Sequence, residues 1–139
     1  MKLLYTLAIL FSCCSVHAQE IGLFNKDGKA IAYIDTKDEM SIYLYDGKPV
    51  AYIEKDNVYG FNGQHLGWYD KGSVRTHEGK IIGSTKEATN RYTQYEPYKS
   101  YKQYKPYKAN QSYPPYKVYG QSDWTDDSFE ELLLNGIKK

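Results

Sequence analysis

The sequence predicts an all-β fold over residues 19–89: four pseudo-fourfold-related β-hairpins, eight short strands in all. An extended, polyproline-II-like or disordered Tyr/Lys-rich tail (90–121) and one short amphipathic helix (122–139) complete the chain. Three observations carry the prediction. Glycines recur at Gly28, Gly47, Gly63 and Gly79, spaced 19, 16 and 16 residues apart, and a fixed period marks a repeat architecture. Each glycine follows Asp, Asn or Glu, the chemistry of a hairpin turn. Beyond each glycine the same order returns: apolar (Ile31, Val50, Leu66, Ile82), small (Ala32, Ala51, Gly67, Gly83), then aromatic (Tyr33, Tyr52, Trp68). Ser84 breaks the order in the last copy.

The chain opens on an export signal. Lys2 supplies a positive start, "LLYTLAILF" an apolar run, and Val16–His17–Ala18 a small-x-small cleavage site. The apolar run is too short to span a bilayer, which takes roughly 20 residues, so no transmembrane helix is expected after cleavage. "LFSC" offers the alternative of a lipoprotein anchored at Cys13. Both cysteines, Cys13 and Cys14, lie in this segment, so cleavage after Ala18 leaves no disulfide and no thiol nucleophile. The expected location is outside the cytoplasm: periplasmic, cell-surface or secreted.

Within the repeats, the Asp46–Gly47 and Asn62–Gly63 pairs suit type I′ turns, which need positive φ at both central residues. "NKDG" and "THEG" suit a type I turn with a glycine bulge. Strict alternation pairs Ile31 with Tyr33, Val50 with Tyr52 and Leu66 with Trp68 on one face. The small residue falls on the other face, where the copies approach closely. Every copy ends by Thr85, so residues 19–89 are expected to fold without the tail.

The run 23–85, and most clearly "DGKPVAYI" and "VYGFNGQHLGWY", resembles the bacterial four-fold beta-flower domain. The resemblance implies a small fourfold arrangement of hairpins and no particular activity, cofactor or catalytic residue.

The sequence points away from an enzyme. Outside the signal, His65 and His77 are the only histidines, at different offsets from their glycines, and no nucleophile–base–acid spacing is visible. The carboxylates of "DTKDE" (35–39) lack the ordered ligand spacing and turn glycine of a calcium loop, so no metal and no cofactor is expected. Tyr33, Tyr52 and Trp68 are candidates for a stacking platform, or else for core packing.

Charge divides the chain. Residues 19–89 carry nine Lys/Arg and eleven Asp/Glu, 90–121 carry six and one, and 122–139 carry two and five. A basic segment thus lies between two acidic ones, free to fold back or to meet an anionic surface. Tyrosine occupies nine of the ten three-spaced positions from 92 to 119; Asn110 is the exception. Three is the polyproline II period, and the prolines favour that conformation. Tyr92, Tyr95, Tyr98, Tyr101, Tyr104 and Tyr107 form one stripe and Lys99, Lys102, Lys105 and Lys108 another; both are candidate binding residues. Extended over 28 residues, the segment would reach ~87 Å, against ~28 Å for the domain, so it must project or wrap. It reads as a solvated spacer, as an intramolecular strap whose tyrosines pack against the domain, or as an adhesive: "SYPPYK" (112–117) resembles mussel-foot repeats, which implies a grip on wet surfaces.

In the last segment Thr125 is the expected N-cap, Trp124 and Phe129 a hydrophobic staple, and Gly136 a left-handed terminator. Phe129, Leu132, Leu133 and Ile137 share a face that should dock on the β-domain. The function expected is a non-enzymatic binding or adhesive module for envelope polysaccharide or an anionic surface, with no nucleic-acid partner; the alternative is a small secreted hydrolase.

Overall fold

A computed structural model describes residues 19–139; the expected signal and Cys13 lie outside the described residues. Eight strands run in order: β1 (Glu20–Phe24), β2 (Ala30–Asp35), β3 (Ser41–Leu44), β4 (Pro49–Glu54), β5 (Asn57–Gly60), β6 (His65–Asp70), β7 (Ser73–Arg75) and β8 (Ile81–Ser84). Each pairs antiparallel with its neighbours in sequence, and β8 returns to β1 through Phe24 and Ser84, closing a barrel. Closure leaves no unpaired edge, which a hairpin by itself cannot achieve.

All four glycine turns share one geometry. The amides of Asn25, Leu44, Gly60 and Thr76 donate to the carbonyls of Lys29, Lys48, Gln64 and Lys80. The amides of Gly28, Gly47, Gly63 and Gly79 donate back to the carbonyls of those first residues. The glycines have φ of 77°, 94°, 88° and 83°, while Asp46 and Asn62 do not have positive φ. Copies two and three are therefore not type I′. The pairing carbonyl comes one residue later than a two-residue loop allows, giving a three-residue loop with glycine in the left-handed position. Positive φ at both central residues occurs instead at the joints between hairpins, Lys55–Asp56 (47°, 66°) and Lys71–Gly72 (50°, 86°).

The expected sharing of faces is also corrected. The register slips once in every hairpin, leaving Ile31, Val50, Leu66 and Ile82 without a cross-strand partner. A bulge turns two successive side chains to one side. Val50, Leu66 and Ile82 accordingly join Ala32, Ile34, Ala51 and Ile53 in the core cluster. Tyr33 and Tyr52 pack in separate clusters on the outer side of the sheet.

Helix α1 (Phe129–Leu134) and a 3-10 turn (Asn135–Ile137) close the barrel end that carries the glycine turns. Phe129 and Leu133, 2% and 0% exposed, complete the core cluster, so residues of the last segment sit in the same core as the repeats. Three details differ from expectation. The N-cap is Ser128, whose hydroxyl accepts from the Glu131 amide at 3.2 Å, so Thr125 and a Trp124 staple are not used. Gly136 lies in the 3-10 turn and has no positive φ. Its role is close approach: a Cβ on Gly60 would lie 2.2 Å from the Gly136 Cα. Gly83 is small for the Phe129 ring, 2.5 Å from where its Cβ would be.

Candidate functional site

Residues 90–121 form a collar around the rim of the barrel. Its backbone steps from one glycine turn to the next every nine residues. Cβ atoms on Gly28, Gly47, Gly63 and Gly79 would lie 2.0, 2.0, 2.1 and 2.5 Å from the carbonyl oxygens of Tyr92, Tyr101, Asn110 and Tyr119. Two residues on, the amides of Gln94, Gln103, Ser112 and Gln121 donate to the carbonyls of the same four glycines, at 2.8, 2.9, 2.9 and 3.0 Å. The amides of Ser100 and Ala109 add bonds to Tyr45 and Phe61. Each turn glycine therefore serves twice, by its left-handed φ and by the bare Cα over which the collar passes.

The period of nine was present in the sequence beneath the period of three: Gln94, Gln103 and Gln121; Pro97, Pro106 and Pro115; Lys99, Lys108 and Lys117. Asn110, which interrupts the tyrosines, is the third contact carbonyl and keeps this longer register. The segment is a docked strap and not a solvated spacer, but the side chains that dock are the lysines. Lys99 and Lys102 reach Glu20 at 3.0 and 2.8 Å, Lys102 reaches Asp35 at 2.6 Å, and Lys108 reaches Glu39 at 2.9 Å. Lys105 pairs with Asp38. The "DTKDE" carboxylates thus receive the protein's own ammonium groups. Among the described residues there is no group of three or more metal-ligating side chains.

The buried aromatics form the layer between. Tyr33 (0% exposed), Tyr52 (2%) and Trp68 (3%) present no free face, so they are packing residues and not an exposed platform. Lys99 lies 4.9 Å from the centre of the Tyr33 ring and Lys108 4.3 Å from that of Tyr52, where ring quadrupole and cation attract. Hydroxyls bridge to the strap: Tyr45 donates to Glu96 at 2.7 Å and Tyr59 to the Ser112 carbonyl at 3.2 Å. Burial, then the bond to Glu96, raises the Tyr45 phenol far above its ordinary range. At Glu20 burial acts to raise the pKa, but hydrogen bonds from Lys102 and Lys99 leave it below the ordinary value. At Lys102 burial acts to lower it, and the bonds to Asp35 and Glu20 raise it overall.

With the lysines turned inward, the tyrosines face out. Tyr92, Tyr95, Tyr98, Tyr101, Tyr104, Tyr107, Tyr113, Tyr116 and Tyr119 are each at least 81% exposed. Among the described residues they are the largest exposed apolar groups, held on a backbone that is fixed at every turn.

The histidines meet although their sequence offsets differ. His65 Nδ1 and His77 Nε2 are 2.9 Å apart, and His65 Nε2 is 2.9 Å from Asn57 Oδ1. With Nε2–H donating to the Asn57 oxygen, Nδ1 accepts from His77. Burial, then the charge of His77, pulls His65 down to about 4, so His65 is neutral at pH 7. No carboxylate, hydroxyl or thiol side chain bonds to either ring among the described residues.

The fourth copy is open. Ser84 stands where Tyr33, Tyr52 and Trp68 stand in the others, and Arg75 where Phe24, Tyr43 and Tyr59 stand. A cleft of about 510 Å³ lies there, between barrel and strap, with Arg75, Arg91, Ser73, Ser84, Ser122 and Trp124 in its wall. A family model described as a 4-fold beta flower protein matches residues 21–133, which takes in the strap and most of the helix as well as the repeats. No curated protein and no solved structure matches the chain.

Proposed function

The chain belongs to the 4-fold beta flower family, and on that scaffold we propose an exported, non-enzymatic binding module whose tyrosine collar grips envelope polysaccharide. One observation carries the reading: nine tyrosines are exposed together on a clamped backbone. An apolar display of this size is unusual on a soluble surface and is typical of interaction sites. Tyrosine suits the task, since a rigid ring with a polar tip gives contact area at low entropic cost. The ion pairing of Lys99, Lys102, Lys105 and Lys108 with barrel carboxylates favours ring contacts over attraction to an anionic surface. Export rests on the N-terminal signal pattern.

The test is retention of the protein on isolated peptidoglycan, on envelope polysaccharide and on anionic vesicles at ~0.15 M salt, where exposed charges are screened beyond about 8 Å. Retention on a glycan is expected, and replacing Tyr98, Tyr101, Tyr104 and Tyr107 by serine should weaken it on the order of a hundredfold or more. Equal retention of the serine variant would end the proposal. Glycan breakdown by the purified protein would favour the secreted hydrolase.

A further inference from the structure

The chain has two arginines, Arg75 and Arg91, and both line the cleft at the fourth copy. They are far apart in sequence, one on β7 and one where the strap begins. Among the described residues, carbonyls and a ring position them, and no carboxylate does. Arg75 Nη1 donates to the Gly79 carbonyl at 2.8 Å and also to the Gln121 carbonyl. Arg91 Nη1 donates to the Lys26 carbonyl at 3.0 Å, and its guanidinium lies 5.2 Å from the centre of the Trp124 ring. Among the described residues neither arginine has an ion-pair partner, whereas the strap lysines Lys99, Lys102, Lys105 and Lys108 all have one. Among the described residues no acidic side chain lines the cleft; its other polar groups are Ser73, Ser84, Ser122, Thr89 and Asn90.

Two departures from the repeat shape this site. Ser84 in the aromatic position leaves the gap beneath the strap. Gly120 takes the strap position held by Lys102 and Gln111 in the second and third copies, and a Cβ there would meet the Arg75 guanidinium carbon at 2.9 Å. The fourth copy has exchanged a filled aromatic layer for an open cleft with two fixed, unneutralised cations. A guanidinium held by neutral acceptors keeps its full charge and its planar donor fork, which matches carboxylate and phosphate oxygens. The volume lies in the range of small-ligand sites.

We propose that this cleft binds an acidic sugar, with the carboxylate or phosphate between Arg75 and Arg91 and the hydroxyls on the cleft serines. The proposal does not rest on the tyrosine reading, since the cleft lies where the two ends of the strap meet the fourth copy and no strap tyrosine lines it. It is tested by titrating the protein at ~0.05 M salt with D-glucuronate, glucose 6-phosphate and D-glucose, following amide resonances by NMR. At least one acidic sugar should bind saturably with shifts centred on residues 73–75, 84 and 91, and D-glucose should not. The tighter-binding acid identifies the group, carboxylate or phosphate. R75Q and R91Q should each weaken binding about tenfold or more, and S84Y, which restores the aromatic of the other copies, should abolish it. Because Arg91 is exposed, R91Q decides even if R75Q or S84Y does not fold. Equal binding of D-glucose, unchanged affinity in R91Q, or no binding below about 10 mM would each overturn the assignment.

Discussion

Gly47 carries two constraints at one atom. Its φ of 94° is one that L side chains rarely adopt, and a Cβ would meet the Tyr101 carbonyl oxygen at 2.0 Å. Gly47→Ala should therefore cost about 1–2 kcal/mol from backbone strain, and it should also lift the strap locally. Hydrogen exchange is expected to accelerate at Gln103, whose amide bonds to the Gly47 carbonyl, more than at Ser112, bonded to Gly63. Equal acceleration at both would mean that strap and turn are not in contact. His65 sets a pH response. Its folded pKa of about 4 lies below its ordinary 6.5, so its stabilising contribution is complete above pH 6.5 and is lost as pH falls from 6.5 toward 4. Glu20, Asp38 and Glu39, also lowered, lose theirs only below about 4.5. The melting temperature should thus decline between pH 7 and 5, and His65→Gln should flatten that slope; an unchanged slope would assign it elsewhere.

The strap is held by a periodic set of weak contacts, and its stability should be read separately from that of the barrel. Lys102 links Glu20 and Asp35 while lying over Tyr33 and Tyr43, at 5.7 and 5.4 Å from the ring centres. It is about one-third exposed, so Lys102→Gln should cost only ~1 kcal/mol. The loss should appear as faster exchange and proteolysis between residues 99 and 108, with the core strands little changed. Salt near 1 M should reproduce part of the effect in the parent protein, because exposed pairs are screened. If cleavage in this segment is insensitive to both, the backbone bonds alone hold the strap.

At the scale of the molecule, a closed barrel encloses a space that its own strands do not fill. Phe129 and Leu133 occupy it, entering through the rim that the strap encircles. The shared core leads to the opposite prediction for residues 19–89 made alone. Without the last segment the core loses two large side chains, each typically contributing about 2–5 kcal/mol when truncated in a core. The 19–89 fragment should therefore lack a cooperative thermal transition that residues 19–139 show by circular dichroism, and Leu133→Ala should lower the transition by several degrees. A cooperative melt of the fragment would mean that the helix is an accessory. The strap then also works as the tether that brings the helix to the open end.

The repeat at Gly28, Gly47, Gly63 and Gly79 was enough to give eight strands, because turn chemistry and alternation are local and act through the backbone of each copy. The apolar face of the last helix was legible for the same reason. Which face the strands bury was not, since the bulges at Ile31, Val50, Leu66 and Ile82 arise only when neighbouring strands close on one another. The three-residue spacing exposed a tyrosine stripe and a lysine stripe, but not which of them faces inward. That choice is made by the acidic loop at 35–39 and the buried rings at Tyr33 and Tyr52, which lie 47 or more residues away from Lys99 and meet the strap lysines only in the folded barrel. Local pattern determined the elements; charge and packing between distant segments decided the strap, the plug and the paired arginines.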